Sequence, residues 1–358
     1  MSGSDQRTAA LLASLSNNGT LSRRGFLGCV VLAIAAAGCG GSAPPPLPAR
    51  RDEPLSPLHT GELTELLPLA DLRWMILVRP REIAAIPWLI PSIGVVVPER
   101  RLDLFAQING IDLRQIPEAV IANYAAESGE ANSFYLVRHN SDPVVVERAF
   151  SKRLTTSLRR VVERPDLIRL SGKIGVATST LVVIGRDIMG LQHGGSLQRG
   201  PARIAALYAM GKLKKSATVL SQDPLRSLAN RFGSAPLRAM ALGPFEGELA
   251  RGARGLLAGA TAIGVSARPS AREGIALAVA VAGDFTKSGA PAEKELLSAF
   301  RDLAEGSFGR LLGLDQPIER PLATHSADAV AIAVEISPER LARGLAAETS
   351  ARIEEIMR

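Results

Sequence analysis

The sequence predicts an α+β fold: two tandem copies of an antiparallel-sheet-plus-helices unit, preceded by an apolar leader and a proline-rich tether. Three observations predict it. From about Gly61 onward, strand-like alternation and helical periodicity succeed each other along the chain. The order strand, helix, hairpin, helix, hairpin occurs twice, over roughly 120 to 135 residues each time. Short turns join the paired strands, which makes consecutive strands antiparallel and leaves helices for one face of the sheet. The predicted segments are 1–38 for the leader, 39–60 for the tether, 61–195 for the first copy and 196–358 for the second.

Composition agrees with a folded body. Hydrophobic residues make up 46% and charged residues 22% of the 358, enough to bury a core. Aromatic residues are only 4%, so that core is aliphatic, and stacking platforms for nucleic-acid bases are excluded. The formal charge is +7. The leader holds Arg7, Arg23 and Arg24 against Asp5, so losing it removes three cations and one anion and leaves +5. Both cysteines, Cys29 and Cys39, fall in the first 39 residues. The body therefore forms no disulfide, thiolate metal site or cysteine nucleophile.

The leader reads "SRRGFLGCVVLAIAAAGC" over residues 22–39. Its apolar run, Phe26 to Ala37, is about a dozen residues where a spanning helix needs about 20. That length, with Arg23 and Arg24 in front, fits an export signal. Ser22-Arg23-Arg24-Gly25-Phe26-Leu27 resembles the twin-arginine export motif. Ala36-Ala37-Gly38-Cys39 is similar to the lipobox of bacterial lipoproteins, with alanine at position 36 where leucine is usual. The resemblance implies cleavage before Cys39 and diacylglycerol on its thiol, which would place the body in the bacterial cell envelope, outside the cytoplasm. Gly40, in place of the aspartate that resembles an inner-membrane retention signal, points to the outer membrane. Residues 40–58, "GGSAPPPLPARRDEPLSPL", contain six prolines and no periodicity. They form a spacer that, at roughly 3 Å per residue, reaches up to about 60 Å from a bilayer.

In the first copy, "RWMILVRPREIAAI" predicts a strand, a proline break and a helix start. "AVIANYAAESGEANSFYLVRH" predicts a hairpin by its alternation and its Ser-Gly turn. Asp142 caps a helix with Pro143 at its first position, and "LIRLSGKIGVATSTLVVIG" predicts a second hairpin. "HGGSLQRG" separates the copies, and residues 201–215 predict a linking helix with Lys212, Lys214 and Lys215. In the second copy, "SATVLSQDPLRSLAN" repeats the strand, proline and helix, and "TAIGVSARPSAREGIALAVAVAG" the hairpin. Pro291 opens a helix, and "IERPLATHSADAVAIAVEI" closes the unit.

Chemistry is sparse in this pattern. His59, His139, His193 and His325 are scattered, with no HExxH, HxH or CxxC spacing. There is no GxSxG pentapeptide, and His139-Asn140-Ser141-Asp142 reads as a turn capped by Asp142 rather than a triad. "GKLKKS" lacks the earlier glycine and the hydroxyl of a phosphate loop. "GARGLLAGATAIG" lacks dinucleotide spacing and suits close helix packing. Paired acids such as Glu354 with Glu355, or Glu293 with Glu295, sit in charged helices. No catalytic residue, metal ligand or cofactor is assigned. The densest basic region supplies a candidate anionic-surface contact at Arg148, Lys152, Arg153, Arg159 and Arg160, with Lys152 one helical turn after Arg148.

The expected function is a lipid-anchored envelope protein that binds or supports an envelope protein or polymer without catalysis. Its partners would be the membrane, through Cys39, and anionic lipid or envelope polymer, not nucleic acid. One alternative is a lipid- or small-ligand-binding module. The other is an envelope hydrolase whose residues converge only in the fold.

Overall fold

A computed structural model describes residues 56–125, 132–213, 218–251 and 253–357. Arg23, Arg24, Cys39 and most of the tether lie outside the described residues. Strand β1 (Leu72–Val78) leads into helices α1 (Pro80–Ala84), α2 (Ile90–Val96) and α3 (Glu99–Asn109). The pair β2 (Glu118–Tyr124) and β3 (Asn132–Arg138) is followed by α4 (Pro143–Ser151). Four strands come next: β4 (Arg159–Arg164), β5 (Leu167–Ile174), β6 (Ala177–Ile184) and β7 (Ile188–His193). Helices α5 (Pro201–Ala209) and α6 (Leu225–Phe232) precede β8 (Leu237–Leu242), α7 (Gly247–Arg251), β9 (Ala260–Pro269) and β10 (Ile275–Gly283). The chain ends through α8 (Gly289–Glu305), α9 (Ser307–Leu311), β11 (Glu319–His325), β12 (Ala329–Ile336) and α10 (Pro338–Met357).

The twelve strands form one sheet in the order β11-β12-β10-β9-β8-β1-β2-β3-β7-β6-β5-β4. Every pairing is antiparallel. The α+β class therefore holds, with a large antiparallel sheet. The sheet runs unbroken through the chain's midpoint, because β1 pairs with β8, Leu77 lying opposite Arg238 and Ile76 opposite Ala239.

Helices cover both faces of this sheet, not one. Alternation sends Met75, Leu77, Val120, Ala122, Phe134, Leu136 and Val182 to a first face, under the 3-10 turn Leu63–Leu66, α5 and α6. It sends Ala119, Leu181 and Val183 to the second face, under Val146 and Phe150 of α4. Val281, Val330 and Ile332 lie on that second face under Ala292 and Leu296 of α8. The reason is visible in β6, whose last six residues are all buried: a strand apolar on both sides must be covered on both. Phe134 is fully buried, a burial that stabilises the fold by about 1.5–3 kcal/mol. It needs Gly190 as its diagonal neighbour on β7, where a β-carbon would stand 2.6 Å from the ring.

The predicted hairpins form as β2–β3, β5–β6, β9–β10 and β11–β12, although the Ser-Gly turn of the first lies outside the described residues. Four readings change. The expected linking helix is a core element: α5 stops at Ala209, and its Ala202, Ala205, Ala206 and Ala209 are buried. Small side chains on one stripe let its backbone approach the sheet, and Gln192 of β7 accepts from the Ala202 N–H at its start, at 3.1 Å. "SATVL" makes no strand among its described residues. Val219–Ser221 is a 3-10 turn tied down by the Thr218 hydroxyl, which donates to Thr64 Oγ1 at 2.8 Å. The strand that follows α6 is instead β8, "LRAMAL". Finally, Ala253–Gly259 is an irregular 3-10 stretch with Arg254 and Gly255 at positive φ, so Gly255 serves a kink before β9 where close helix packing was expected.

Candidate functional site

The predicted basic region is built on α4. The Asp142 carboxylate accepts from the Val144 N–H at 2.9 Å and Pro143 starts the first turn, which satisfies an end that would otherwise leave N–H groups unpaired. Val146 and Phe150, four apart, face the sheet. Val144, Arg148 and Lys152 therefore share the outer face, and all three are exposed. Arg160 of the edge strand β4 reaches Glu147 of the helix at 3.5 Å, which brings its guanidinium beside this face. Arg148, Lys152 and Arg160 thus form one cationic strip.

The other two predicted cations go elsewhere. Arg159 is exposed, but strand alternation sends it to the opposite face of the sheet from Arg160. Arg153 turns inward, and its Nη1 donates to Asn109 Oδ1 at 2.9 Å. Burial pushes its guanidinium pKa down, so it holds α3 against α4 and does not face solvent freely.

Beside the strip lies α3 of an apolar excursion that the sequence reading did not single out, and whose α2 packs instead against the C-terminal helix α10. Ile90 is 54% exposed, Val95 51%, Leu104 42% and Ile108 39%, and no residue of α3 is buried. Leu104 and Ile108, one turn apart, share a side of α3. Gly110 ends the helix at φ 72, its N–H donating to Ala106 O at 2.8 Å. A β-carbon there would stand 2.5 Å from Val145 Cγ1, so this glycine lets α3 close on the first turn of α4. Val144 and Val145 extend the apolar surface, at 57% and 43% exposed. Arg114 gathers Asp112, Asp103 and Glu99 at 2.9, 2.7 and 3.4 Å. Among the described residues Arg100 and Arg101 form no ion pair, so the excursion shows apolar side chains and free cations. The signal available in the sequence was the spacing of Leu104 and Ile108 behind Arg100 and Arg101.

The described chain enters at this same end of the sheet. Pairing aligns Val78, Ala119, Val137 and Met189 in one row, and the adjoining Arg138, Ile188, Ile184, Leu167 and Arg164 in the next. The Ser56 carbonyl accepts from Arg164 Nη1 at 2.6 Å. The Thr60 and Gly61 carbonyls accept from Arg138, which also pairs with Asp187 at 2.5 Å. The excursion leaves from Val78 and returns at Glu118. Chain entry, apolar helices and the start of α4 therefore share one end.

The titratable groups elsewhere are placed as follows. The His139 Nδ1 accepts from the Ser141 N–H at 3.2 Å while Nε2 is buried without a partner, so His139 belongs to the core and not to a surface loop. His193 Nδ1 lies 2.7 Å from Ser179 Oγ, with Tyr135 edge-on at 6.0 Å between centroids. Ser179 is fully buried, which keeps its hydroxyl from solvent. Burial, then Arg153, pushes the His193 pKa down. His325 pairs with Glu293 at 2.6 Å, and the His59 N–H donates to Ala209 O at 2.8 Å. Among the described residues no three His, Cys, Asp or Glu side chains come together as a metal site, and no helix is long and apolar enough to cross a membrane. No protein-family model, curated protein or solved structure matches the chain.

Proposed function

We propose that this is an envelope protein anchored by diacylglycerol on Cys39, whose body rests on an anionic lipid surface in a binding or structural role. The supporting observation is the shared end: chain entry at Ser56, exposed apolar side chains on α3 and α4, and the cations Arg100, Arg101, Arg148, Lys152 and Arg160. Exposed apolar groups flanked by arginine and lysine match the interface of a bilayer, where the former enter the headgroup boundary and the latter meet phosphate. A lipid on Cys39 would keep the tether's base, and this end with it, within reach of the membrane. Two acyl chains already anchor a protein stably, so on this reading the basic surface orients the body against the bilayer rather than holding it there.

Duplication belongs to this reading as well. Outward from the β1–β8 seam, one side of the sheet runs β1, β2, β3, β7, β6 and the other β8, β9, β10, β12, β11. A helix follows the third strand on each side, α4 and α8. The hairpin β4–β5 then extends the first copy alone.

Vesicle co-sedimentation of the chain from Gly40 onward tests the surface. Vesicles containing phosphatidylglycerol should retain it and phosphatidylcholine vesicles should not. At about 1 kcal/mol for each cation near the surface, replacing Arg148, Lys152 and Arg160 by Gln should weaken binding on the order of a hundredfold. Equal retention by neutral vesicles, or no effect of the triple substitution, would overturn it. An N-terminal peptide from native membranes that begins at Met1 would remove the anchor.

A further inference from the structure

The covers of the first face leave a cleft of about 400 Å³ between the turn Leu63–Leu66 and the end of α6. Its floor is the β1–β8 seam. Leu77 lies opposite Arg238, so Arg79, two residues on, projects from the same face as a diagonal neighbour of Arg238. Arg238 Nη1 donates to the Gly233 carbonyl at 2.9 Å, and Arg79 Nη1 donates to the Ser234 carbonyl at 3.1 Å. These bonds hold the turn after α6 but do not exhaust the donors. Arg238 Nε is buried with no acceptor. Burial, and then the like charge of Arg79, push the Arg238 pKa down.

The other wall carries the opposite deficit. Glu118 of β2 and Glu62 line it beside Thr64. Thr64 Oγ1 donates to Glu62 at 3.3 Å, while Glu118 forms no ion pair among the described residues. A buried donor without acceptor therefore shares one space with Glu118 and Glu62, carboxylates within electrostatic reach of Arg238 that make no ion pair with it, although buried polar groups are nearly always paired. The four lining charges cancel, and Arg79 also pairs with Glu82 outside the lining at 3.4 Å, so a lone anion gains little from the cleft. A dipole aligned across it gains from both walls.

We propose that this cleft binds a small zwitterion with an ammonium beside a carboxylate, the chemistry of a free α-amino acid. The carboxylate accepts from Arg238 Nε and the Arg79 guanidinium, and the ammonium donates to Glu118 and Glu62. The volume lies in the range of small-molecule sites. The site is separate from the cationic strip, so it stands or falls independently of lipid binding.

Calorimetric titration of the full chain with glycine, L-alanine and D-alanine tests it, with acetate and ethylammonium as the two half-ligands. The zwitterions should bind, and each half-ligand at least about tenfold more weakly, since each forfeits one set of charged hydrogen bonds. Glu118→Gln and Arg238→Lys should each cost at least about tenfold in affinity and leave vesicle binding unchanged. If Arg238→Lys unfolds the turn at Gly233, Glu118→Gln decides alone. Acetate binding as tightly as the amino acids, indifference to Glu118→Gln, or no heat at millimolar ligand would each overturn the proposal.

Discussion

His139 and His193 are imidazoles whose charged forms the fold disfavours by burial. The first is 1% exposed with one ring nitrogen unpartnered; the second bonds to buried Ser179 beneath Arg153. Burial is the main cause that pushes both pKa values below the ordinary histidine value. Near pH 6.5 and below, the unfolded chain takes up protons that the folded chain refuses. Stability is therefore full above about pH 6.5 and falls as the pH drops toward the folded values, by about 1.4 kcal/mol per pH unit for each histidine while only the unfolded form is charged. Urea unfolding between about pH 7.5 and 5 should show this slope, and His139→Gln should flatten it. An unchanged slope in that variant would clear His139 of any part. The tetrapeptide His139-Asn140-Ser141-Asp142 was legible as a capped turn because capping is local. The burial of its histidine was not, since that depends on the Asp187 turn and other parts of the chain distant in sequence.

Among the elements, α5 shows what periodicity conveys and what it misses. Its alanine stripe at Ala202, Ala205, Ala206 and Ala209 is buried to within 1% of completeness, and close backbone approach leaves no room for larger groups. Ala205→Leu should destabilise by about 1–3 kcal/mol through overpacking, measured as a lowered urea midpoint at unchanged slope. Alanine at the exposed Leu104 position of α3 should cost far less, which separates packing from helix propensity. The helix was legible in the sequence, but its place was not: alanine favours helices equally at a surface linker and at a tight contact. The same limit explains β8. "LRAMAL" has few β-branched residues and no flanking hairpin turn, so it gains strand structure from pairing with β1 and β9 and not from its own propensity. Hairpins such as β9–β10 were legible because both strands and their turn lie within about 25 residues. Of the candidate lipid surface, the cations on α4 were legible from spacing. The exposure of Val144 and Val145 beside them was not, since it depends on what the rest of the fold leaves uncovered.

For the whole molecule, one question is whether the boundary near residue 195 separates parts that fold alone. The largest core cluster joins Leu63, Leu66, Phe134, Leu136, Val182 and Ile184 from before it to Ala202, Ala205, Leu225, Leu228, Phe232, Met240 and Ala262 from beyond it. Cutting there strips α5 from the first face of β6 and β7 and from the turn Leu63–Leu66. It also turns β1 and β8, interior strands of the sheet, into bare edges with unpaired N–H and C=O groups. Two halves that share a sheet and a core are not independent units, whatever their origin. Residues 61–195 and 196–358 produced separately should each lack a cooperative unfolding transition and associate through the exposed edges, whereas the two together should recover the single transition of the full chain. Circular dichroism with sedimentation velocity on each half and on their mixture distinguishes the cases. A monomeric first half that unfolds cooperatively would mean that the β1–β8 seam merely joins two finished units, and the cleft above the seam would then owe its shape to their docking.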